Sequence, residues 1–174
     1  MSDGWNESAQ AWIASMGERG DWSREHVLDA AMLGRIEKRA YSAALDVGCG
    51  EGRFCRLLRQ RGIETIGIDP TLALLEEARR RDPGGQYLPG RAEKLQFADS
   101  RFDLVVSCLS LIDIPDFRAA IREMTRVLQP GGTLLIANLT SFTTARAAQG
   151  WVRDADGRRL HYPVDRYLDR KSVV

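Results

Sequence analysis

The chain has 174 residues, the usual length of one domain and enough for one substantial hydrophobic core. Its 25 lysines and arginines nearly balance 24 aspartates and glutamates, so net charge predicts no attraction to nucleic acid or to an acidic membrane. Three cysteines without a Cys-x-x-Cys pair predict neither a disulfide framework nor a metal site, and no apolar run reaches the ~18 residues of a membrane span.

Residues 1–40 are predicted to form a helical cap. The acidic N-terminus has no apolar core and is not a signal peptide, so we expect a cytoplasmic protein. Apolar residues recur at three- and four-residue spacing over 5–16 and again over 23–39, which indicates two amphipathic helices, the second capped by Ser23. The helices either simply cover a sheet or act as a lid over the next segment through one of three side chains, Trp12, Arg19 or Arg24.

A glycine-rich turn then follows the first apolar strand, 43–47. Gly48, Gly50 and Gly52 occupy alternate positions, and a helix begins near Arg53. A strand, a glycine turn and a helix in succession predict free backbone N–H groups at the carboxyl edge of a sheet, where a nucleotide-like or carboxylate-bearing ligand binds. The dinucleotide fingerprint would place its third glycine at position 53, so this spacing disfavours a dinucleotide.

The rest of the chain alternates strands and helices until the signal weakens after residue 140. Strands are predicted over 64–68, 86–88, 102–107 and 133–138, and helices over 53–61, 71–81 and 117–128. This alternation predicts a single α/β domain over 1–174 with a three-layer, doubly wound, mostly parallel sheet. Its parts are the cap 1–40, a core over 41–139, and a C-terminal substrate segment over 140–174 that includes a hairpin tip at 154–157.

Three acidic residues are candidates for ligand binding. Asp69 ends the second strand, where a carboxylate can accept both hydroxyls of a ribose; the alternative is an ordinary helix cap before Pro70. Asp46 could orient the glycine turn or accept an ammonium group, because a buried carboxylate without a partner is costly. Glu93 lies in the loop after the third strand, where an adenine edge would fall, and could equally be an ordinary solvated side chain.

Four successive motifs carry a family resemblance that covers residues 43–138. They are Leu45–Phe54, Ile66–Pro70, Gly90–Glu93 with Phe97–Ser107, and Arg126–Gly132. Together they resemble class I S-adenosylmethionine-dependent methyltransferases, most of all the small-molecule branch that includes ubiquinone- and menaquinone-biosynthesis enzymes. The resemblance implies a Rossmann-like fold, S-adenosylmethionine as cofactor, and methyl transfer to a small-molecule acceptor by in-line displacement.

The resemblance also implies a role for each matched residue. Six would lie at the methionine end of the cofactor, with the first near the amino group and the last next to the reacting centre: Asp46, Gly48, Cys49, Gly50, Ser107 and Leu109. Four would bind the nucleoside, the first at the ribose and the others around the adenine: Asp69, Pro70, Ala92 and Glu93. Cys49 is not expected to be a nucleophile.

No catalytic residue is assigned from the sequence. Methyl transfer needs a general base only when the acceptor must lose a proton, and Asp113 and His161 are candidates by residue type. The sequence around Asp113 is, however, also typical of a turn at the start of a helix, and His161 fits a surface or packing role.

Three alternative functions are compared with this interpretation. The family usually completes its sheet with two further strands, which are expected to be missing or incomplete here. A non-catalytic S-adenosylmethionine-binding module is therefore one alternative. An uncovered sheet edge would also favour a homodimer. An NAD(P)-dependent oxidoreductase is disfavoured because Arg53 stands where the dinucleotide fingerprint has its third glycine. A nucleic-acid methyltransferase is disfavoured because residues 107–110 read Ser-Cys-Leu-Ser in place of an Asn/Asp-Pro-Pro-aromatic motif.

Overall fold

The structure is a computed structural model that describes residues 4–140 and 152–161. The chain divides into two compact units, residues 1–137 and 138–174. Within the first unit a five-stranded sheet has the order β3-β2-β1-β4-β5, and all of its neighbouring strands are parallel. The strands are β1 (Ala43–Val47), β2 (Glu64–Asp69), β3 (Gln86–Pro89), β4 (Phe102–Cys108) and β5 (Leu128–Ala137).

Helices cover both faces of this sheet. They are α1 (Gly4–Met16), α2 (Asp29–Ile36), α3 (Arg53–Arg59), α4 (Leu72–Arg81) and α5 (Phe117–Val127). A π-helical turn, Arg24–Leu28, runs directly into α2, and a 3₁₀ turn, Leu111–Asp113, follows β4. The predicted three-layer, doubly wound α/β fold is therefore confirmed. No helix in the described ranges is both long and apolar enough to cross a bilayer.

The hydrophobic core forms on both faces because side chains alternate along each strand. On one face Leu45 and Val105 pack with residues of α5, including Met124. On the other face Ala44 and Val106 pack with residues of α2 and α3. This second face also carries the side chain of Asp46, which lies in register with Gly67 of β2 and Val106 of β4.

The strand order places a topological switch beside β1. The chain runs outward from β1 to β3 on one side and from β4 to β5 on the other. Ligands of open α/β sheets bind outside the carboxyl ends of the strands at such a point. The fold therefore brings the glycine turn after β1 and the segment after β4 to the same edge.

One predicted strand boundary and one predicted helix cap were wrong. The strand predicted to begin at 133 begins at Leu128, and the Pro130–Gly132 turn lies within it as a bulge between the pairs Phe102–Leu128 and Leu104–Thr133. Ser23 makes no side-chain capping bond. Asp21 accepts the N–H of Arg24 at 2.8 Å instead, because the helix already begins at Trp22 and Ser23 has helical backbone angles.

The second unit contains a described hairpin. Strand β6 (Val152–Arg153) pairs antiparallel with β7 (Arg159–His161). The carboxylate of Asp154 accepts the N–H groups of Asp156 and Arg158 at 3.0 and 2.9 Å, which closes the tip. The predicted hairpin tip at 154–157 is confirmed, whereas residues 141–151 and 162–174 lie outside the described residues.

Two leucines of α4 provide a matched test of this core. Leu75 is fully buried and Leu72 is 58% exposed. We expect Leu75→Ala to lower the free energy of unfolding by about 2–5 kcal/mol, because the truncation leaves a cavity. Leu72→Ala should change it by about 0.5 kcal/mol or less. Urea denaturation of the two variants measures the difference; equal losses would contradict the assignment of the buried face.

Candidate functional site

The glycine turn is closed on two sides and open on the third. Gly48 and Gly50 have φ angles of 76° and 54°, a left-handed conformation that other residues rarely adopt. A Cβ on Gly48 would lie 2.3 Å from the Cβ of Ser110, and one on Gly52 would lie 2.5 Å from the ring of Tyr87. A Cβ on Gly50 would meet no atom of the described residues within 4 Å. The turn is therefore packed at its ends and leaves space for a ligand at Gly50.

The backbone N–H groups of the turn bond within the protein. Those of Gly48 and Cys49 both donate to the carbonyl of Ile68 at 2.9 Å. That of Gly50 donates to the Asp69 carboxylate at 3.0 Å. The prediction of free N–H groups at these positions was wrong, because the parallel register brings the end of β2 alongside the turn. A ligand here would be held by shape and by acceptor groups.

Asp69 connects the turn to the start of α4. Its side chain is 7% exposed. One carboxylate oxygen accepts the Gly50 N–H, and the other accepts the N–H of Thr71 at 2.9 Å, immediately before α4. The helix-cap contact considered from the sequence is thus present, together with a contact to the glycine turn. Pro70 is exposed beside it.

Asp46 is a buried carboxylate with one unsatisfied oxygen. It is 1% exposed, and its Oδ2 accepts a hydrogen bond from the Cys55 thiol at 3.3 Å. Its Oδ1 has no hydrogen-bond partner within the part of the chain that the structure describes. Burial raises the pKa of Asp46 to about 7; the Cys55 bond opposes this shift, and the charges of Asp69 and Glu51 add to it. The site therefore lacks a donor or cation beside Oδ1.

The cysteines near the turn are poor nucleophiles. Burial raises the pKa of the Cys49 thiol and, more strongly, that of Cys55. The thiolate forms are therefore disfavoured at neutral pH. Both sulfur atoms would lie within 3 Å of a Cβ on Gly67, so the absence of a side chain there allows them to approach β2. These contacts are those of a packing role.

The segment after β4 approaches the turn through Ser110. Its hydroxyl donates to the carbonyl of Val47 at 2.7 Å and lies 2.6 Å from the hydroxyl of Ser107. Ser107 is fully buried, whereas Leu109 and Ser110 are partly exposed. Sequence reasoning missed Ser110; the only signal was a second serine that interrupts the apolar residues after β4.

The loop after β3 is fixed by two charged residues of α5. Arg126 donates to the carbonyls of Leu95 and Phe97 at 2.9 and 2.8 Å, and Glu123 accepts the N–H of Leu95 at 2.8 Å. Earlier in this loop, Ala92 is buried in the core and Glu93 is half-buried beside Arg91, 3.3 Å away. The loop therefore has a fixed position relative to the sheet, which the sequence motif alone does not show.

The N-terminal cap is attached to the helix that follows the turn. Arg53, the first residue of α3, pairs with Asp29 of α2 through bonds of 2.5 and 2.9 Å, and it donates to the Arg19 carbonyl at 2.5 Å. Sequence reasoning missed the Arg53–Asp29 pair. The guanidinium of Arg24 lies 4.9 Å from the ring centroid of Trp12.

Helix α1 contacts elements on both sides of the glycine turn. At its C-terminal end Arg81 of α4 donates to the Gly17 carbonyl. Near its other end, Trp5 lies close to Asp113, in the turn after β4. Burial raises the pKa of Asp113, and the neighbouring Trp5 side chain opposes the shift. The helix thus spans the carboxyl edge of the sheet, as a lid would, but the lid itself stays a prediction.

Two remaining points concern metal binding and His161. No group of three or more His, Cys, Asp or Glu side chains within them could hold a metal ion. His161 ends β7, and its side chain is outside the described residues.

Known proteins resemble this chain in sequence and in structure. Residues 45–136 match the methyltransferase domain family. Malonyl-[acyl-carrier protein] O-methyltransferase of Salmonella typhimurium is 33% identical over 92% of this chain and 62% of that protein. Demethylmenaquinone methyltransferase of Renibacterium salmoninarum is 32% identical over 74% of this chain and 52% of that protein.

The solved structures agree with the sequence comparison. An S-adenosylmethionine-dependent methyltransferase from Mesorhizobium loti has a TM-score of 0.67 and 31% identity, covering 83% of this chain and 68% of that one. A similar protein from Listeria monocytogenes has a TM-score of 0.68 and 27% identity, covering 82% and 68%. The chain spans about half the length of the curated relatives that it matches.

The family match begins within β1, stops one residue before the end of β5, and includes the glycine turn, Asp69 and the loop after β3. The chain therefore belongs to the methyltransferase domain family, as a class I S-adenosylmethionine-dependent member.

Proposed function

We propose that the protein transfers the methyl group of S-adenosylmethionine to a small-molecule acceptor. The observation that carries this proposal is the glycine turn, which is fastened to Asp69 yet open at Gly50. Relatives are named as enzymes, which favours catalysis over a non-catalytic binding module. Because the chain spans only part of those relatives, the activity is proposed for the protein to which this chain corresponds.

The methionine end of the cofactor would lie against the turn. Gly50 allows its close approach, with Gly48 and Cys49 supporting the turn from below and Leu109 next to the reacting centre. The unsatisfied Oδ1 of Asp46 fits an ammonium group, because that group supplies both the missing donor and a positive charge. The fully buried Ser107 would act on this end through Ser110.

The nucleoside would lie toward β2 and β3. A carboxylate offers about four acceptor positions, so the two backbone bonds of Asp69 are compatible with additional bonds from ribose hydroxyls. Pro70, Ala92 and Glu93 would border the adenine, on a loop that Arg126 and Glu123 hold in place. The residues present therefore fit the cofactor.

The protein's part in the chemistry is mainly positional. S-adenosylmethionine supplies an activated methyl group on a positively charged sulfur. Holding donor and acceptor in line can offset about 7–11 kcal/mol of the barrier through proximity and orientation. Asp113, close to the end of β4, is the described candidate for a general base if the acceptor must lose a proton; burial raises its pKa.

The acceptor, the compartment and the assembly are also proposed. Relatives are named for demethylmenaquinone and for a malonyl group attached to an acyl-carrier protein, which supports a small organic group as acceptor. Three free cysteines fit the reducing cytoplasm. Among the described strands β3 and β5 are the sheet edges, and an edge of this kind could pair in a homodimer. Nothing in the charge balance favours nucleic acid or a membrane as partner.

Cofactor binding is tested first with the unmodified chain. We expect millimolar S-adenosylhomocysteine to raise its melting temperature, because a ligand that binds only the folded state stabilises it; at 100 times the Kd the gain is about 2.7 kcal/mol. Differential scanning fluorimetry measures the shift. The absence of any shift would overturn the proposed function.

Replacing Asp69 should weaken this binding more than tenfold. Asp69→Ala removes the proposed ribose contact and the bond to Gly50. Asp103→Ala is a matched control, because Asp103 also accepts two backbone N–H groups, those of Ser42 and Ala43, but at the amino end of the sheet. Titration calorimetry with S-adenosylhomocysteine compares the two. If both variants lose affinity equally, Asp69 acts only through the fold.

Binding should also depend on pH through Asp46. Because its pKa is about 7 in the unliganded protein and an ammonium group favours the carboxylate, binding should lower that pKa and release a proton. Affinity for S-adenosylhomocysteine should therefore rise with pH up to about 7 and become constant above about 8. Asp46→Asn should bind more weakly and remove this dependence. Calorimetry from pH 5.5 to 8.5 measures it; an unchanged slope in Asp46→Asn would assign the proton elsewhere.

A further inference from the structure

Helix α1 buries little of its surface. Of its 13 residues Ala9 alone is buried, and Trp5 and Trp12 are partly exposed and pack edge to face on each other, with ring centroids 5.1 Å apart. Segments with few buried contacts open locally at a low cost in free energy. The helix can therefore move while the sheet stays folded, and the contacts at its ends decide where it lies.

The C-terminal end of α1 is held through two backbone carbonyls. Residues 17–20, here called the hinge loop, begin and end with a glycine in the left-handed conformation, with φ angles of 55° and 84°. The guanidinium of Arg81 donates to the Gly17 carbonyl, and that of Arg53 donates to the Arg19 carbonyl at 2.5 Å. The hinge loop is thus fixed by donors from two helices that flank the sheet, α4 and α3.

Both donors connect to Glu51, a buried residue of the glycine turn. Its Oε1 lies 3.6 Å from Nη1 of Arg81, the same nitrogen that bonds Gly17, and its Oε2 accepts the backbone N–H of Arg53 at 2.9 Å. The Arg81 side chain is only 8% exposed, and its Nε donates to Glu77 at 2.5 Å. One guanidinium therefore joins the glycine turn, α4 and the end of α1.

We propose that Arg81 is a positioning residue that holds α1 across the carboxyl edge of the sheet and so controls how fast a ligand enters and leaves the glycine turn. Because that ligand is S-adenosylmethionine, this role rests on the proposed function. A lid that only covers a site slows entry and exit by the same factor, whereas a residue that shapes the site changes affinity. The two rate constants of binding therefore distinguish the two roles.

Arg81→Lys tests this role. Lysine keeps a positive charge beside the buried Glu51 but lacks the planar guanidinium that serves Gly17 and Glu77 together. We expect the association and dissociation rate constants of S-adenosylhomocysteine both to rise about tenfold, as for the loss of one hydrogen bond to a charged group, with the Kd nearly unchanged. Surface plasmon resonance on the immobilised chain gives both constants.

Hydrogen exchange of the unliganded chain is the second measurement. A detached helix of this length is marginally stable in water, so the amides of α1 should exchange about tenfold faster in Arg81→Lys. The amides of β1 and β4 should keep their rates, because the change frees α1 without loosening the sheet. Arg81→Gln, which also removes the charge, should show the same effects more strongly.

Arg80→Lys is the matched control. Arg80 neighbours Arg81 in α4 and bonds the same Glu77 at 2.7 and 2.8 Å, but its side chain is 71% exposed. Within the described ranges it pairs neither with Glu51 nor with the hinge loop. The variant should therefore leave both rate constants and the exchange of α1 unchanged.

Four other results would overturn the role of Arg81. Unchanged rate constants and exchange in both Arg81 variants would show that Arg81 does not hold α1. A faster dissociation at an unchanged association rate constant would mean that Arg81 shapes the glycine turn instead. Faster exchange throughout the sheet would make it a residue of the core, and equal effects of Arg80→Lys would assign them to the charge of α4.

Failure of the proposed function gives a different result. If the unmodified chain binds no S-adenosylhomocysteine, the proposed function fails, and control of ligand exchange fails with it. Faster exchange of α1 in Arg81→Lys then separates this failure from a failure of the attachment by Arg81.

Discussion

The attachment of the glycine turn to the end of β2 is the constraint on which the rest of the site depends. Parallel pairing places the Ile68 carbonyl and the Asp69 carboxylate beside the turn, where they accept the N–H groups of Gly48, Cys49 and Gly50. These bonds hold the backbone in its left-handed conformation without a ligand. Because the turn is already ordered, binding costs little conformational entropy there. The lower cost improves affinity for any ligand that fits the open side of the turn.

The charged side chains around the glycine turn determine which kind of ligand it favours. Asp46, Glu51 and Asp69 are all buried around one turn. Asp69 is stabilised by backbone N–H groups, and Glu51 lies 3.6 Å from Arg81 and 3.8 Å from Arg56. Among the described residues, the donor to Asp46 is the Cys55 thiol alone, and burial raises the pKa of Asp46 to about 7, so a ligand can change its charge. A ligand with a positive charge near Asp46 would therefore be favoured over an anionic dinucleotide.

Sequence patterns predicted the parts of this architecture that depend on local chemistry. The apolar strands, the glycine spacing and the position of Asp69 follow from periodicity and turn preference, and the structure has them. The hydrogen-bond acceptors of the turn's N–H groups were not predictable, because glycine spacing indicates a backbone conformation and not the groups to which that backbone bonds. Ser110 and the Arg53–Asp29 pair were missed for a related reason, because both contacts join residues that are far apart in the sequence. Ser110 is 63 positions from Val47, and Arg53 is 24 positions from Asp29.

Arg53 shows how one position can serve both the turn and the cap. At this position the dinucleotide fingerprint has a glycine for close packing of helix on strand. Here the guanidinium instead binds Asp29 and the carbonyl of Arg19, with both charged side chains largely buried. A buried charge left without its partner is strongly destabilising, so the cap cannot separate from α3 without cost. Since α1 belongs to that cap and lies close to Asp113, the same residue that departs from the dinucleotide pattern also helps to hold the cap beside the carboxyl edge of the sheet.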